Sequence, residues 1–208
     1  IVHSGVCLLT SREWTTPDGR LRTLDFLKER GFNTVHFTCF AKRQQQEKAK
    51  KAIAQAKELG LDLVLWVGED EEFPSDELAK SLYDTNILSL MVLDEPDLRL
   101  PGEKAREYLN HKRALFPYTP VKMNNGVKGV AKGYASLATD IFMIDDYLTN
   151  AEGRSVYSII GGVDTLVRAR AGTPSWYFVV GTNDLHYRQP AFAEQTVQCW
   201  GTICSGGS

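Results

Sequence analysis

Strands and helices alternate along this sequence in the pattern of a parallel α/β protein. The seven predicted strands begin roughly 20 to 35 residues apart, which is the spacing that a strand–helix–strand crossover requires. The strands are continuous apolar runs, so both faces of the sheet are expected to be covered. No glycine-rich phosphate loop follows any strand, which argues against an open doubly wound sheet. The sequence therefore predicts a (β/α)8 TIM barrel.

The first half of the chain supplies four of these strands and the helices between them. Gly31 and Gly60 each follow a helical stretch and are expected to end it, and Ser75 is expected to cap a third helix. The predicted strands are 4–9, 33–38, 61–67 and 88–93, and the predicted helices include 21–30, 41–59 and 101–115.

The second half continues the same alternation. Asn124-Asn125-Gly126 is a strong turn signal and is expected to close the fifth strand. The predicted strands are 119–123, 140–145 and 173–180, and the predicted helices are a weak one at 130–137 and two more at 156–170 and 191–200. Gly201–Cys204 is expected to begin an eighth strand.

Length and strand count together predict one domain over 1–208. Because a complete barrel usually needs about 250 residues, we expect a barrel truncated before or within the eighth strand. The exposed strand edges of such a barrel invite pairing with another chain or segment that completes it.

Composition removes several classes of partner. The net charge of −2 leaves no basic surface for nucleic acid. No apolar run approaches 18 residues, so no membrane span is expected. The four cysteines have neither CxxC nor Cys/His metal spacing, and we expect no metal and no cofactor. The compartment stays open, with an extracellular location slightly favoured.

The most informative segment is the apolar run Leu88–Leu93, which ends in Asp94, Glu95 and Asp97. Pro96 cannot donate to a strand ladder and therefore ends the strand where the acids emerge. Carboxylates at the carboxyl ends of barrel strands are where this fold keeps its chemistry. The alternative for Asp97 is a loop residue or an N-cap of the helix that follows.

Four short motifs give the chain a resemblance to a known superfamily. They are Gly31–Val35 entering the second strand, Asp94–Pro96 ending the fourth, Asp140–Tyr147 on the sixth and Thr173–Tyr177 on the seventh. In these features the chain resembles the catalytic barrels of glycoside hydrolases, in the broad retaining-glycosidase superfamily, without indicating a single family. The fourth strand of that superfamily commonly ends Asn-Glu-Pro. The resemblance implies that Glu95 is the general acid/base and that Asp94 replaces the asparagine.

Glycoside hydrolysis needs a second carboxyl group. The largest clan of the superfamily has a glutamate at the end of the seventh strand, but 179–184 contains none. Three aspartates are candidates: Asp145, Asp146 and Asp184. Alternation puts Asp145 on the side of Met143 and Asp146 on the other side, and the sequence leaves open which side faces inward. Asp146 and Asp184 have the alternative of being turn residues.

A variant mechanism needs no second nucleophile. Barrel hexosaminidases use an adjacent Asp-Glu pair on strand four, in which the glutamate protonates the leaving group and the aspartate positions the substrate's acetamido group. Asp94-Glu95 resembles that pair, and Tyr147 is a candidate partner for the acetamido oxygen. Adjacent strand residues point to opposite faces, so this variant requires a twist or bulge there.

The expected partner is a carbohydrate. Rings near strand ends stack on the apolar faces of sugars, which makes Trp14, Tyr147 and Trp176 candidate binding residues. Trp176 has the alternative of packing under the helices. Asn124, Asp146 and Asp184 complete the predicted substrate-binding set.

Two other functions stay open at this point. A Mg²⁺-dependent barrel enzyme would gather Asp94, Glu95 and Asp145 or Asp146 around the ion. A non-catalytic barrel, which binds carbohydrate or serves as a structural subunit, agrees with the absent strand-seven glutamate.

Overall fold

Two groups of parallel strands, each with its own helices, make up the described part of the chain. The computed structural model describes residues 5–8, 21–37, 46–67, 87–126, 133–137, 139–145, 157–169, 171–178 and 192–204. Two compact units are present. Unit 1 comprises 1–93 and 108–121, and unit 2 comprises 94–107 and 122–208.

The strands of unit 1 are parallel and hydrogen-bonded in the order of the sequence. They are β1 (Gly5–Leu8), β2 (Thr34–Phe37), β3 (Asp62–Trp66) and β4 (Ile87–Asp94). Consecutive residues are buried in both β3 and β4: Leu63 to Leu65 and Leu90 to Leu93 are each at most 2% exposed. Burial of both strand faces is the pattern of a covered parallel sheet. Sequential strand order, with no reversal inside the unit, is the order that a barrel uses.

The helices of unit 1 end where the sequence indicated. Helix α1 spans Arg22–Glu29 and α2 spans Gln46–Glu58. Gly31 and Gly60 follow them with φ of 81° and 62°, a conformation that glycine adopts without steric cost. Leu24 and Leu27 bury one face of α1.

A glutamine joins the two helices of unit 1. Helix α1 begins after Leu21, which supplies no side-chain cap. Instead, the buried Gln55 of α2 accepts a hydrogen bond from the Leu21 N–H at 2.8 Å and donates one to the Leu21 carbonyl at 2.9 Å. Its amide also donates to Asp25 at 3.3 Å. The start of α1 is thus held by a side chain from 34 residues later.

We expect Gln55→Leu to lower the free energy of unfolding by about 1–3 kcal/mol, because it removes the partner of the buried Leu21 N–H and leaves the Leu21 carbonyl only its hydrogen bond from the Leu24 N–H at 3.0 Å. Chemical denaturation of the purified chain measures the change. Lys57→Leu, on an exposed position of the same helix, is the matched control and should change stability by less than about 0.5 kcal/mol. Equal effects of the two substitutions would contradict this account.

Unit 2 holds a second set of parallel strands. Strands β5 (Val121–Gly126), β6 (Ile141–Asp145) and β7 (Ser175–Phe178) pair in that order. The helical elements are α3 (Pro96–Arg99), the first part of α4 (Gly102–Leu115), a 3₁₀ helix (Tyr134–Ser136), α5 (Tyr157–Ala169) and α6 (Phe192–Cys204). Residues 108–115 of α4 belong to unit 1. The four consecutive residues Ile141 to Ile144 are at most 7% exposed.

Two sequence-based expectations for unit 2 are wrong, and a third is described only in part. Asn124, Asn125 and Gly126 are not a turn but the last three residues of β5, where Gly126 pairs in register with Asp145. Gly201–Cys204 is not a strand but the last turn of α6, because a helix tolerates a single internal glycine. The weak helix expected at 130–137 is described as one 3₁₀ turn, Tyr134–Ser136.

The helix expected after Ser75 lies outside the described residues. None of the described helices has the length and apolar character needed to cross a membrane.

Candidate functional site

The backbone changes conformation abruptly where β4 ends. Asp94 is the last strand residue, and Glu95 follows with φ 43° and ψ 48°. Glu95 is the one non-glycine residue with positive φ in the described part of the chain. This left-handed conformation costs a non-glycine residue about 1–2 kcal/mol. Such strain clusters at functional sites, and here it falls on the residue that the sequence singled out.

Helix α3 starts from this strained residue. Pro96 occupies its first turn, where a missing N–H is harmless. The Glu95 carbonyl accepts a hydrogen bond from the Leu98 N–H at 3.1 Å, and the Pro96 carbonyl accepts one from the Leu100 N–H at 2.8 Å. A proline also disfavours the right-handed helical conformation for the residue before it, which explains why Glu95 stays outside α3.

Three hydrogen bonds fasten this turn to the end of β5. The Asn124 side-chain Nδ2 donates to Asp94 Oδ1 at 2.9 Å. The Glu95 N–H donates to the Asn124 carbonyl at 2.9 Å. The Gly126 N–H donates to Asp97 Oδ1 at 3.2 Å. We call these three bonds the strand-end clasp.

Asp97 is a buried part of the clasp. It is 5% exposed and lies in the first turn of α3, whose N-cap residue is Glu95. The reading of Asp97 as a loop residue or as an N-cap of the next helix is therefore wrong. A Cβ at position 126 would lie 3.5 Å from Asp97 Oδ2, which is an ordinary van der Waals distance.

Asp94 and Glu95 are both half-buried, so they remain accessible at the end of β4. The guanidinium of the exposed Arg99 donates to the Asp94 backbone carbonyl at 2.6 Å. The Asp94 carboxylate takes no part in that bond, and its Oδ1 accepts the hydrogen bond from Asn124 Nδ2.

The register of β5 and β6 relates β6 to the clasp. Asn124 pairs with Met143, and Lys122 Nζ lies 3.4 Å from Met143 Sδ. Gly126, whose N–H belongs to the clasp, pairs with Asp145. The backbone of Asp145 is therefore in register with the clasp, and the role of Asp145 as the partner carboxylate stays a prediction.

In β7, Trp176 pairs in register with Met143 of β6. Four predicted site residues, Trp14, Asp146, Tyr147 and Asp184, lie outside the described residues and stay predictions.

Polar burial in β5 is the feature that sequence reasoning missed. Lys122, Asn124 and Asn125 are 1%, 1% and 0% exposed, although they were expected at or beyond the strand end. Neither side-chain polar atom of Asn125 has a hydrogen-bond partner among the described residues. One feature of the sequence could have indicated this burial. The strand that follows β4 in the chain is apolar but is interrupted by the polar residues Lys122, Asn124 and Asn125.

The described ranges contain no group of three or more His, Cys, Asp or Glu side chains that could hold a metal ion. A groove of ≈ 390 Å³ lies between the start of α4 and the 3₁₀ helix, lined by residues such as Arg106 and Tyr134. The predicted site residues are not among those that line it.

Comparison with known proteins shows the fold of the chain but does not assign the chain to a family. No family model matches the sequence, and no curated protein matches it significantly. Among solved structures, the chain is similar to a GH2 β-galacturonidase from Eisenbergiella tayi bound to galacturonate, with a TM-score of 0.66 and 13% identity. That alignment covers 96% of this chain and 40% of the galacturonidase.

Two more similar structures belong to different activities. The catalytic core of a xylanase A aligns with a TM-score of 0.60 and 11% identity, over 83% of this chain and 68% of the xylanase. Proteus mirabilis N-acetylneuraminate lyase aligns with a TM-score of 0.57 and 11% identity, over 99% of this chain and 68% of the lyase. This chain thus spans about two thirds of either enzyme.

These similar structures are TIM-barrel enzymes, and the chain has their parallel α/β fold. They include hydrolases of glycosides and lyases, so the fold alone does not select between these chemistries.

The left-handed conformation of Glu95 leads to a test of stability. We expect Glu95→Gly to be about 1 kcal/mol more stable than Glu95→Ala, because both substitutions remove the carboxyl group while only glycine adopts positive φ freely. Thermal and urea denaturation of the two variants measure the difference. A Glu95→Ala variant as stable as Glu95→Gly would show that residue 95 is not strained.

Proposed function

We propose that this protein is a glycoside hydrolase that acts on a carbohydrate, with Glu95 as general acid/base and an aspartate as the partner carboxyl group. The observation that carries the proposal is Glu95 itself. It is half-buried at the carboxyl end of β4, in a strained conformation that the strand-end clasp holds in place. A (β/α)8 barrel is part of the proposal, including an eighth βα unit that the described residues do not contain.

In this mechanism, Glu95 protonates the glycosidic oxygen as the bond to the anomeric carbon breaks. The partner carboxylate attacks that carbon from the opposite face in a retaining enzyme, or activates a water there in an inverting one. Asp145 is the preferred partner, because its position pairs with Gly126 next to the clasp. Asp146 and Asp184 remain proposed alternatives.

Asp94 has a different role in the proposal. Its carboxylate holds the Asn124 amide and so fixes the end of β5 beside Glu95. Asp94 therefore positions the site, and Asn124 contributes to substrate binding. Trp14, Asp146, Tyr147, Trp176 and Asp184 are proposed to complete the binding surface.

One observation favours the acetamido-assisted variant as a second candidate. Regular alternation would hold Asp94 and Glu95 on opposite faces of the strand. The change from extended to left-handed backbone between the two residues removes that constraint. In this variant Asp94 would orient the substrate's acetamido group, which attacks the anomeric carbon while Glu95 protonates the leaving group.

The first test is Glu95→Gln. We expect it to keep the fold and carbohydrate binding, and to lower kcat/KM for an unactivated glycoside by about 10²–10⁴, the usual contribution of a general acid. An aryl glycoside with a good leaving group should lose less in the bond-breaking step, because its departure needs little protonation. Glu103→Gln, on an exposed position of α4, is the matched control and should keep wild-type rates.

Hydrolysis at the wild-type rate by Glu95→Gln would rule out Glu95 as the acid. Sugar binding without turnover in the wild-type chain would favour the non-catalytic carbohydrate-binding barrel. A loss of rate on adding EDTA would favour the magnesium-dependent alternative.

Stereochemistry separates the partner mechanisms. Following the anomer first released by NMR distinguishes retention from inversion. Retention that is restricted to N-acetylhexosaminides would support the acetamido-assisted variant, whereas retention on sugars without an acetamido group requires an aspartate nucleophile. In the latter case we expect Asp145→Asn to abolish turnover.

A further inference from the structure

We propose that the site at the strand-end clasp selects an uncharged ligand rich in hydrogen-bond donors, namely a neutral sugar, and rejects acidic sugars and 2-oxo acids. Asn124 Oδ1 is the atom that accepts one of the ligand's donors. The inference rests on the proposed function for the location of the site, and it goes further by assigning the chemical class of the ligand.

The orientation of the Asn124 amide follows from its partner. A carboxylate offers only acceptors, so the Asn124 group that faces Asp94 must be the donor Nδ2. The amide oxygen is then left for another donor. Asn124 is 1% exposed, and its Oδ1 has no hydrogen-bond partner among the described residues. A buried carbonyl oxygen without a donor is unfavourable, and a ligand hydroxyl or N–H would remove that penalty.

The charges around the clasp disfavour an anion. Asp94, Glu95 and Asp97 lie within four consecutive residues. The Asp94 carboxylate bonds to the Asn124 amide, and the Asp97 carboxylate bonds to the Gly126 N–H two residues later. Asp145 is in register with Gly126 in the adjacent strand. A ligand carboxylate at this place would meet like charges and would offer no donor to Asn124 Oδ1. Both effects lower its affinity relative to a neutral sugar.

Two cations near the site need consideration. The guanidinium of Arg99 donates to the Asp94 backbone carbonyl, and Arg99 is exposed. Lys122 is 1% exposed, with Nζ beside Met143 Sδ, and it precedes Asn124 by two residues in β5. Lys122→Met tests whether this cation contributes to the binding of anions.

Binding measured separately from catalysis tests the inference. The dissociation constants of methyl glycosides of xylose, glucose, galactose, mannose and N-acetylglucosamine are measured by calorimetry on the Glu95→Gln chain. The methyl glycosides of glucuronate and galacturonate, together with pyruvate, serve as the anionic probes. We expect at least one neutral glycoside to bind, and any hexoside that binds to do so at least tenfold more tightly than its uronate.

The Asn124 acceptor has its own variant and control. Asn124→Leu should weaken the binding of the neutral glycoside by about tenfold to a hundredfold, the usual effect of losing a hydrogen bond to a buried group. Asn110→Leu, at an exposed position of α4, should leave the affinity unchanged. If Asn124→Leu does not fold, the comparison of neutral with anionic probes on the Glu95→Gln chain, which retains Asn124, still tests the inference.

The inference would be overturned by a uronate or pyruvate that binds as tightly as any neutral glycoside, by a folded Asn124→Leu variant with unchanged affinity, or by the absence of binding of any neutral probe. Anion binding that is lost in Lys122→Met would assign the selectivity to Lys122 instead. Preferential hydrolysis of uronides by the wild-type chain would contradict this inference while supporting glycosidase activity. Selective binding of neutral glycosides without hydrolysis would support this inference and contradict glycosidase activity.

Discussion

The strand-end clasp is the constraint on which the candidate site depends. A buried strand delivers Asp94 and Glu95 to its carboxyl end, but the apolar run alone does not hold them in any particular geometry. Bonds to Asn124 and Gly126 fix the backbone of the turn, and they hold Glu95 in a left-handed conformation that a non-glycine residue avoids. The strain is tolerated because hydrogen bonds to β5 hold the turn both at its first residue, Asp94, and at Asp97.

Polar residues in β5 fit this arrangement. A strand buried along its length normally excludes asparagine and lysine, because their polar groups lose water on burial. Asn124 keeps its place through Asp94, and Lys122 lies beside the thioether of Met143. The Asn124 oxygen and the whole Asn125 amide remain without a described partner. Unsatisfied polar groups of this kind are expected at sites that bind something, where folding stability is exchanged for recognition.

The comparisons leave the chemistry to be decided by the site. Barrels that cleave glycosides and barrels that act as lyases resemble this chain about equally, at 11–13% identity in the structures compared above. The fold supplies parallel strands whose carboxyl ends meet at one rim, and it accommodates many reactions there. In this chain, half-buried and buried carboxylates are grouped around the Asn124 amide, whose oxygen can only accept. That grouping suits the protonation of a leaving group and the recognition of hydroxyl groups.

The sequence by itself determined the alternation of elements and the carboxylates at the end of β4. Both depend on local signals: apolar runs of strand length, glycines with positive φ after α1 and α2, and a proline that stops β4. Tertiary structure decided the rest. Asn124–Gly126 reads locally as a turn but continues β5, because pairing with β6 and the bonds to the 94–97 turn outweigh turn propensity. The sequence of Gly201–Cys204 predicts the start of an eighth strand, yet α6 continues through these residues. The residue of β6 that is in register with the clasp depends on the pairing of β5 and β6, and a single strand's sequence cannot specify a register because that is a property of two strands.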